Sequence, residues 1–235
     1  MGQDTKAGIA FNLLRRDILN GNHPSGKPLR VSNLSVRYGV GIAALRVALA
    51  QLTEMQLVVP TPPRGWQVAS VSLAEFQDLL HARMTLEVAL LEDAIDHGTK
   101  NWETNLLAAH FQLAQAVRPL GAADTLAYRQ TWIALHDSFH AALLAGARSA
   151  WLKQNHLQLL DQMQRYHQAI MSLVSSNTDA MEPLLTDAFS IPRHGELVVA
   201  ALDRDKPAAV TALKRHGDIT FALSQRILGP DRAAD

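Results

Sequence analysis

Apolar residues between positions 33 and 68 recur at helical spacing and then form two short runs. Four of them make one apolar stripe at three- and four-residue intervals: Leu45, Ala48, Leu49 and Leu52. This stripe predicts a helix from about Ile42 to Met55. A shorter helix is predicted before it, from Ser32, whose hydroxyl suits a helix start, to Gly39, which tolerates a left-handed backbone.

The two short runs, Leu57 to Val59 and Trp66 to Val68, are typical of strands. Three prolines and Gly65 between them predict a stiff, sharply turned tip that carries Arg64. Helix, tight turn, helix and hairpin in this order predict a winged helix-turn-helix. Modules of this shape also serve as packing elements, and that alternative stays open.

Helical patterns dominate the rest of the chain. One helix is predicted over residues 6 to 20 and one short strand over Leu29 to Val31. Ser72 and Glu75 have the spacing of a capping box, which predicts the start of a long helix at Ser72. From there to the end we expect about six helices and no sheet.

The breaks between these helices are marked by glycine, proline and polar residues near Gly98, around 119–121, near Gly146, over 175–183 and at Pro207. Trp132 and Trp151 are expected in the helical core. The predicted fold class is therefore mainly α, with an N-terminal winged helix-turn-helix carrying a small β wing and a C-terminal all-α bundle.

The length of 235 residues is comfortable for two domains, which we place at residues 1–71 and 72–235. The chain has no cysteine, which excludes disulfides and thiolate metal sites. It shows no signal-peptide pattern and no apolar run that could cross a bilayer, so we expect a cytoplasmic protein without a membrane partner.

Charge is unevenly divided although the net charge is zero. Residues 1–70 hold eight basic and three acidic residues, which gives +5, and the remainder carries −5. A basic first third joined to an acidic remainder fits one domain that meets phosphates and another that does not.

The winged segment resembles the GntR family of bacterial transcription regulators. The resemblance rests on Gly39-Val40, Leu45-Arg46, Ala48-Leu49 and the wing sequence PPRGWQV. It implies that the module binds DNA, and the residues we expect at the DNA are Arg30, Arg37, Arg46, Arg64 and Gly65. Where the family usually has Ser-Arg-Thr-Pro-Val-Arg-Glu, residues 41–47 read Gly-Ile-Ala-Ala-Leu-Arg-Val, so Ile42 replaces an arginine that lies near the bases in the family.

Histidine supplies the candidate chemistry of the bundle. His136 and His140 are four residues apart, so both rings can leave one face of a helix. His194 and His216 follow on the last two helices, at positions where the apolar pattern faces inward. Four imidazoles that converge favour zinc or nickel over magnesium or calcium. A histidine pair at this spacing is more often a packed pair, and that alternative stays open.

The bundle resembles the FCD domain, the ligand-binding half of the FadR subgroup of GntR regulators. Phe139-His140, His194 with the helix that follows it, and His216 carry the resemblance. Many FCD domains hold a divalent metal with three histidines and one Asp or Asn, and the three histidines correspond to His140, His194 and His216. His136 stands at the Asp or Asn position, so the resemblance implies a metal site of four histidines.

A small carboxylate effector is expected beside the metal, as for many FCD regulators. Arg83 and Glu87, which lie one helical turn apart, and Arg165 are the residues we expect at the effector. A surface ion pair is the alternative for Arg83 and Glu87. A solvated helix face is the alternative for Arg165 and its neighbours Tyr166 and His167.

These features predict a DNA-binding transcription regulator, not an enzyme, which acts as a homodimer on a pseudo-palindromic operator of double-stranded DNA. A small organic acid bound near a divalent metal, zinc or nickel, is expected to control operator binding. One alternative is a degenerate regulator that binds its ligand but little DNA, because Ile42 and Val47 are apolar. Another is a metal-dependent hydrolase that uses the histidine site.

Overall fold

Three helices and a small sheet form the N-terminal part of the computed structural model, which describes residues 5–63, 65–118, 125–174 and 185–229. The helices are α1 (Lys6–Leu19), α2 (Val31–Tyr38) and α3 (Ile42–Glu54). Both α1 and α2 pack against α3, whose apolar stripe is buried at all four positions that the sequence indicated.

The sheet has three short antiparallel strands, β1 (Pro28–Leu29), β2 (Val58–Pro60) and β3 (Trp66–Val68). The strand order is β1-β3-β2, with Leu29 opposite Trp66 and Val58 opposite Val68. The hairpin of β2 and β3 is the predicted wing. The predicted strands were displaced at two places, because Val31 begins α2 and Leu57 precedes β2.

The turn between α2 and α3 depends on Gly39. This residue ends α2 in a left-handed conformation, with φ of 64°. Gly41, which precedes α3, has an ordinary φ of −63°. The predicted start of α2 at Ser32 was wrong, since the helix begins one residue earlier and Arg30 is its N-terminal flanking residue.

A matched pair of serine substitutions tests this turn. Gly39→Ser is expected to lower the free energy of unfolding by about 1–2 kcal/mol, because a side chain is strained in the left-handed region. Gly41→Ser is expected to be neutral or slightly stabilising, since serine is a favoured residue before a helix. Neither position has an atom within 4 Å of an added Cβ, so clashes do not enter. Chemical denaturation measures both, and equal effects would contradict this role of Gly39.

Six helices with the following bounds make up most of the C-terminal part: α4 (Leu73–His97), α5 (Lys100–Ala114), α6 (Leu126–Leu144), α7 (Ala150–Val174), α8 (Ile191–Leu202) and α9 (Lys206–Leu228). The predicted capping residue Ser72 accepts a hydrogen bond from the backbone N–H of Glu75, and α4 starts there. The mainly helical fold class is confirmed. The breaks predicted around 119–121 and 175–183 lie outside the described residues.

The chain divides into two compact units. The first contains Met1–Val71 together with Asp161–Ala169, and the second contains Ser72–Leu160 and Ile170–Asp235. The predicted domains differ from these units in the middle segment of α7, and the domain assignment itself stays a prediction. None of the described helices is long and apolar enough to span a membrane.

Two tryptophans expected in the helical core have different environments. Trp132 on α6 is buried, as predicted. Trp151, near the start of α7, is 75% exposed, so the prediction for it was wrong. The helical pattern alone does not distinguish the first turn of a helix, where fewer neighbours are available, from its interior.

Candidate functional site

Four histidines lie together inside the second unit: His136 and His140 on α6, His194 on α8 and His216 on α9. We call this group the histidine quartet. All four are buried, and one ligand nitrogen from each lies within 4.8 Å of the others. The structure therefore brings together the complete set of histidines that the sequence suggested as metal ligands.

The distances between these nitrogens suit a shared metal ion. Nε2 of His216 lies 3.3 Å from Nε2 of His136 and 3.3 Å from Nε2 of His140. Nitrogens bound at about 2.0–2.1 Å to one tetrahedral zinc ion lie about 3.3 Å apart. One N–H can serve only one of these pairs well, whereas a cation accepts every lone pair at once. The residues present therefore fit a divalent metal.

His194 is held in the tautomer that a ligand needs. Its Nδ1–H donates to the backbone carbonyl oxygen of Ser190, one turn earlier, at 2.8 Å. Nε2 is therefore the acceptor nitrogen, and it is buried without a hydrogen-bond partner among the described residues. Metal-binding histidines commonly use such a backbone contact to fix the ring and leave the other nitrogen for the metal.

Two of the four histidines, His140 and His194, have the charge state that metal binding requires. Burial lowers the pKa of His140 well below its ordinary value, and the nearby His136 and Arg83 lower it further. Burial lowers the pKa of His194 as well, although its hydrogen bond to Ser190 has the opposite effect. Both rings are therefore neutral at pH 7, and neutral imidazoles bind a metal without first losing a proton.

Aromatic side chains surround the histidines. The Trp132 ring stacks on His136, with centroids 4.9 Å apart and an interplanar angle of 20°. Phe139 meets His140 and His194 edge-on, each at 5.3 Å between centroids. These rings restrict how the imidazoles can turn, and they place apolar surface beside the histidines.

Arg83 and Glu87 form a buried ion pair on α4. Nε of Arg83 donates to Oε1 of Glu87 at 2.7 Å, and Nε2 of His156 on α7 lies 2.9 Å from the same oxygen. The surface alternative for this pair was wrong, because the two residues are only 7% and 1% exposed. Burial acts to raise the pKa of Glu87, but the charge of Arg83 and the contact with His156 outweigh it and lower the pKa.

A pocket lies beside this ion pair and reaches one of the four histidines, His216. Arg83, Glu87 and His216 contribute to its polar wall, and Leu80, Met84 and Leu213 contribute to its apolar wall. Arg83 uses Nε for Glu87, and the described residues accept no hydrogen bond from its two terminal nitrogens. Those nitrogens are the fork that binds a carboxylate in two places.

Arg165 does not line this pocket. Within the first unit, its Nη1 donates to the carbonyl oxygens of Ala69 and Ser70 at 3.0 and 2.8 Å, and its Nε donates to Gln162 at 3.0 Å. The solvated alternative was wrong for Arg165 and Tyr166, which are both buried. The effector role of Arg165 stays a prediction, for which these contacts offer no support.

Three of the residues expected at the DNA, all arginines, are exposed on the first unit. Arg30 and Arg37 are exposed at the two ends of α2, and Arg46 is exposed on α3. Gly65 has a φ of 105° at the wing, and Arg64 lies outside the described residues. Ile42 and Val47 are about half exposed on α3, at 51% and 49%.

Sequence reasoning missed two polar groups that the structure connects to these sites. His156 meets Glu87 across 69 residues of chain, and a single histidine on a helix gives no sequence signal of such a contact. Asp17 is buried, at 3% exposed, and binds the guanidinium of Arg37 across 20 residues. Its position beside the apolar residues of α1 was the one available sign, since an aspartate among them needs a partner.

Comparison with known proteins gives matches over both parts of the chain. A family model described as bacterial regulatory proteins of the gntR family matches residues 8–68, and the FCD domain model matches residues 78–218. The HTH-type transcriptional repressor GlaR of Escherichia coli K12 is 31% identical over 207 residues, which cover 88% of this chain and 90% of GlaR.

Solved structures agree in fold. Escherichia coli McbR/YncC superposes with a TM-score of 0.73 at 18% identity, covering 94% of this chain and 98% of that one. A regulator described as a putative GntR from Rhodococcus sp. RHA1 gives 0.69 at 19% identity, covering 95% and 98%. The two family matches and the relationship to GlaR establish that this chain is a bacterial transcriptional regulator of the GntR family with an FCD domain.

Proposed function

We propose that this regulator belongs to the FadR subgroup and binds a pseudo-palindromic operator as a homodimer, under the control of a small organic acid held beside a divalent metal. The convergence of four buried histidine nitrogens next to Arg83 is the observation that carries this proposal. Burying four imidazoles serves no purpose in DNA binding itself, whereas their convergence suits a metal ion.

The metal proposed here is zinc or nickel. Neutral imidazoles suit both ions, and no carboxylate stands in the histidine quartet to favour magnesium or calcium. A bound divalent ion would supply positive charge and open coordination positions for an anionic ligand. His136, His140, His194 and His216 would hold it, and Ser190 would keep His194 in register.

The effector proposed for the pocket is a small acid with an apolar portion. Its carboxylate would accept from the terminal nitrogens of Arg83, which Glu87 holds in place through Nε. Its apolar portion would contact Leu80, Met84 and Leu213. Glu87 offsets the charge of Arg83, so the pocket would attract an anion mainly through hydrogen-bond geometry and the adjacent metal.

Control of DNA binding would follow if two arrangements of the dimer differ in their affinity for the metal and for the acid that binds beside it. Because GlaR is named a repressor, we propose that this protein represses its target genes and that the acid releases it from the operator. The degenerate alternative has support from Ile42 and Val47, which expose apolar surface on α3 where a base-reading helix usually presents polar side chains.

Selection of genomic fragments by the purified full-length protein at moderate salt tests the proposal. Sequencing of the bound fragments is expected to recover a short inverted repeat, since a dimer reads two half-sites. Sequence-independent, salt-sensitive binding alone would favour the degenerate regulator. Replacing Ile42 by arginine would then be expected to raise DNA affinity, and no gain would argue against that alternative too.

Arg46→Ala is expected to weaken operator binding by about 1–3 kcal/mol, or roughly 5- to 150-fold, if Arg46 contacts a base edge. Fluorescence anisotropy with the selected fragment measures the change in affinity. Arg226→Ala is the matched control, because Arg226 is an exposed arginine near the end of α9 in the second unit. Equal reductions in the two variants would show that general charge, and not a contact from α3, drives binding.

A further inference from the structure

Asp17 is a buried carboxylate in the DNA-binding unit that accepts several hydrogen bonds. Arg16 donates to its Oδ1 through Nε and Nη2, at 3.1 and 3.0 Å. Arg37 donates to Oδ2 through Nη2 at 3.0 Å, and the hydroxyl of Tyr38 donates to the same oxygen at 2.7 Å. One side chain of α1 therefore fixes two consecutive residues at the end of α2.

A relay of hydrogen bonds supports this carboxylate. The hydroxyl of Tyr38 gives its hydrogen to Asp17, so Nε2 of His23, 2.7 Å away, donates to the Tyr38 oxygen. Burial alone would raise the pKa of Asp17, but the bonds from Tyr38 and Arg16 outweigh it and lower the pKa. Asp17 is thus ionised at neutral pH and holds its donors as an anion.

The two arginines that bind Asp17 are exposed, whereas Asp17 itself is buried. The side chains of Arg16 and Arg37 are 59% and 49% exposed, while that of Asp17 is 4% exposed. Each guanidinium has further N–H groups that donate no hydrogen bond to the carboxylate. Asp17, Arg16 and Arg37 together carry one net positive charge. Arg37 lies in the last turn of α2, just before the Gly39 turn that leads into α3.

We propose that Asp17 is a positioning residue, which holds Arg37 in the geometry that contacts DNA phosphate. A guanidinium fixed by one carboxylate has given up its rotamer freedom before DNA arrives, so binding costs less entropy. The inference rests on the proposed DNA binding by this unit, and it assigns to Asp17 an effect on DNA that acts through Arg37.

A double-mutant cycle tests the inference. Binding of the full-length protein to a labelled duplex of arbitrary sequence is measured by anisotropy over a range of salt, since phosphate contacts do not depend on sequence. In Arg37→Ala, the fall of log affinity with log salt is expected to be less steep, by about 0.9 for each phosphate that is no longer neutralised. The affinity itself is expected to fall about tenfold at about 0.1 M salt. Asp17→Asn is expected to cause a smaller reduction of the same kind.

The double variants show whether Asp17 positions Arg37 or has a purely structural role. Asp17→Asn is expected to add little to the reduction in the Arg37→Ala background, whereas its effect is expected to be fully additive with Arg46→Ala, because Arg46 makes no bond to Asp17 in the described structure. Additive reductions in both pairs, or an unchanged salt slope in Arg37→Ala, would overturn the inference.

Tyr38→Phe provides a second, milder variant if Asp17→Asn folds poorly. It keeps the ring and the carboxylate but removes one donor from Asp17. A small reduction in affinity that disappears in the Arg37→Ala background is expected. Failure of the native protein to bind any duplex would contradict the proposed function together with this inference, whereas native binding with additive cycles would overturn this inference alone.

Discussion

His194→Ala is expected to lower metal affinity by more than about 100-fold, because it removes one nitrogen from the quartet. Even the loss of residues that only support metal ligands lowers metal affinity by about 10- to 100-fold. The remaining three histidines would keep weak binding. His194 is the informative ligand to replace, since its backbone bond to Ser190 leaves Nε2 with no other partner among the described residues.

Two measurements test the loss of metal affinity. One is the metal content of the protein after dialysis, and the other is thermal unfolding with and without added zinc. A ligand present at about a thousand times its Kd stabilises a protein by about 4 kcal/mol, so zinc is expected to raise the Tm of the native protein and to leave that of the variant nearly unchanged. Comparison of loaded and metal-free forms of each protein separates this effect from the cavity that the substitution leaves.

His110→Ala is the matched control for His194→Ala. His110 is a partly buried histidine whose Nε2, like that of His194, has no hydrogen-bond partner among the described residues. Its ring centroid lies 5.9 Å from that of Phe139, but it is outside the quartet. It is expected to retain native metal content. Unchanged metal in His194→Ala, or an equal reduction in His110→Ala, would contradict the proposed site.

Arg83→Leu is expected to lower the free energy of unfolding by about 3–5 kcal/mol, because it leaves the Glu87 carboxylate buried without its charged partner. We also expect the pH dependence of the free energy of unfolding to change sign. In the native protein the pKa of Glu87 is lowered, so its contribution is present above the unfolded value near 4.5 and is lost as pH falls through the folded pKa. Without Arg83, we expect burial to outweigh the remaining contact with His156 and to raise that pKa, so stability is lost as pH rises instead.

The double variant Arg83→Leu with Glu87→Leu is the control for this prediction. Replacing both members of a buried pair by apolar residues is often neutral or stabilising, so most of the stability is expected to return. Denaturant unfolding of all three proteins over a range of about pH 5 to pH 9, which spans the raised pKa values of buried carboxyl groups, measures the effect. A double variant as unstable as the single one would show that packing, and not the unpaired charge, causes the destabilisation.

The local elements of this protein were predictable because short-range physics decides them. The glycine at position 39 has the left-handed backbone that its place after a helical pattern indicated, and Ser72 caps α4 as its spacing from Glu75 indicated. Strand ends were less predictable. Leu57 and Val31 are good strand residues, but hydrogen bonding with β3 determines where each strand begins and ends.

The candidate site was predictable only in part. The helical spacing of His136 and His140 and the resemblance to FCD domains indicated the four histidines, which the structure brings together. The contact of His156 with Glu87, the burial of Arg83 and the bonds of Asp17 depend on how distant helices pack, and no local pattern contains that information.

Operator affinity with and without metal is the most direct test of the proposed control. The measurement uses anisotropy with the fragment recovered by genomic selection, at one salt concentration, for zinc-loaded and chelator-stripped protein. We expect that native protein changes its affinity between the two states, and that His194→Ala has one affinity in both. Equal affinities for loaded and stripped native protein, at confirmed metal occupancy, would contradict the claim that the histidine site controls DNA binding.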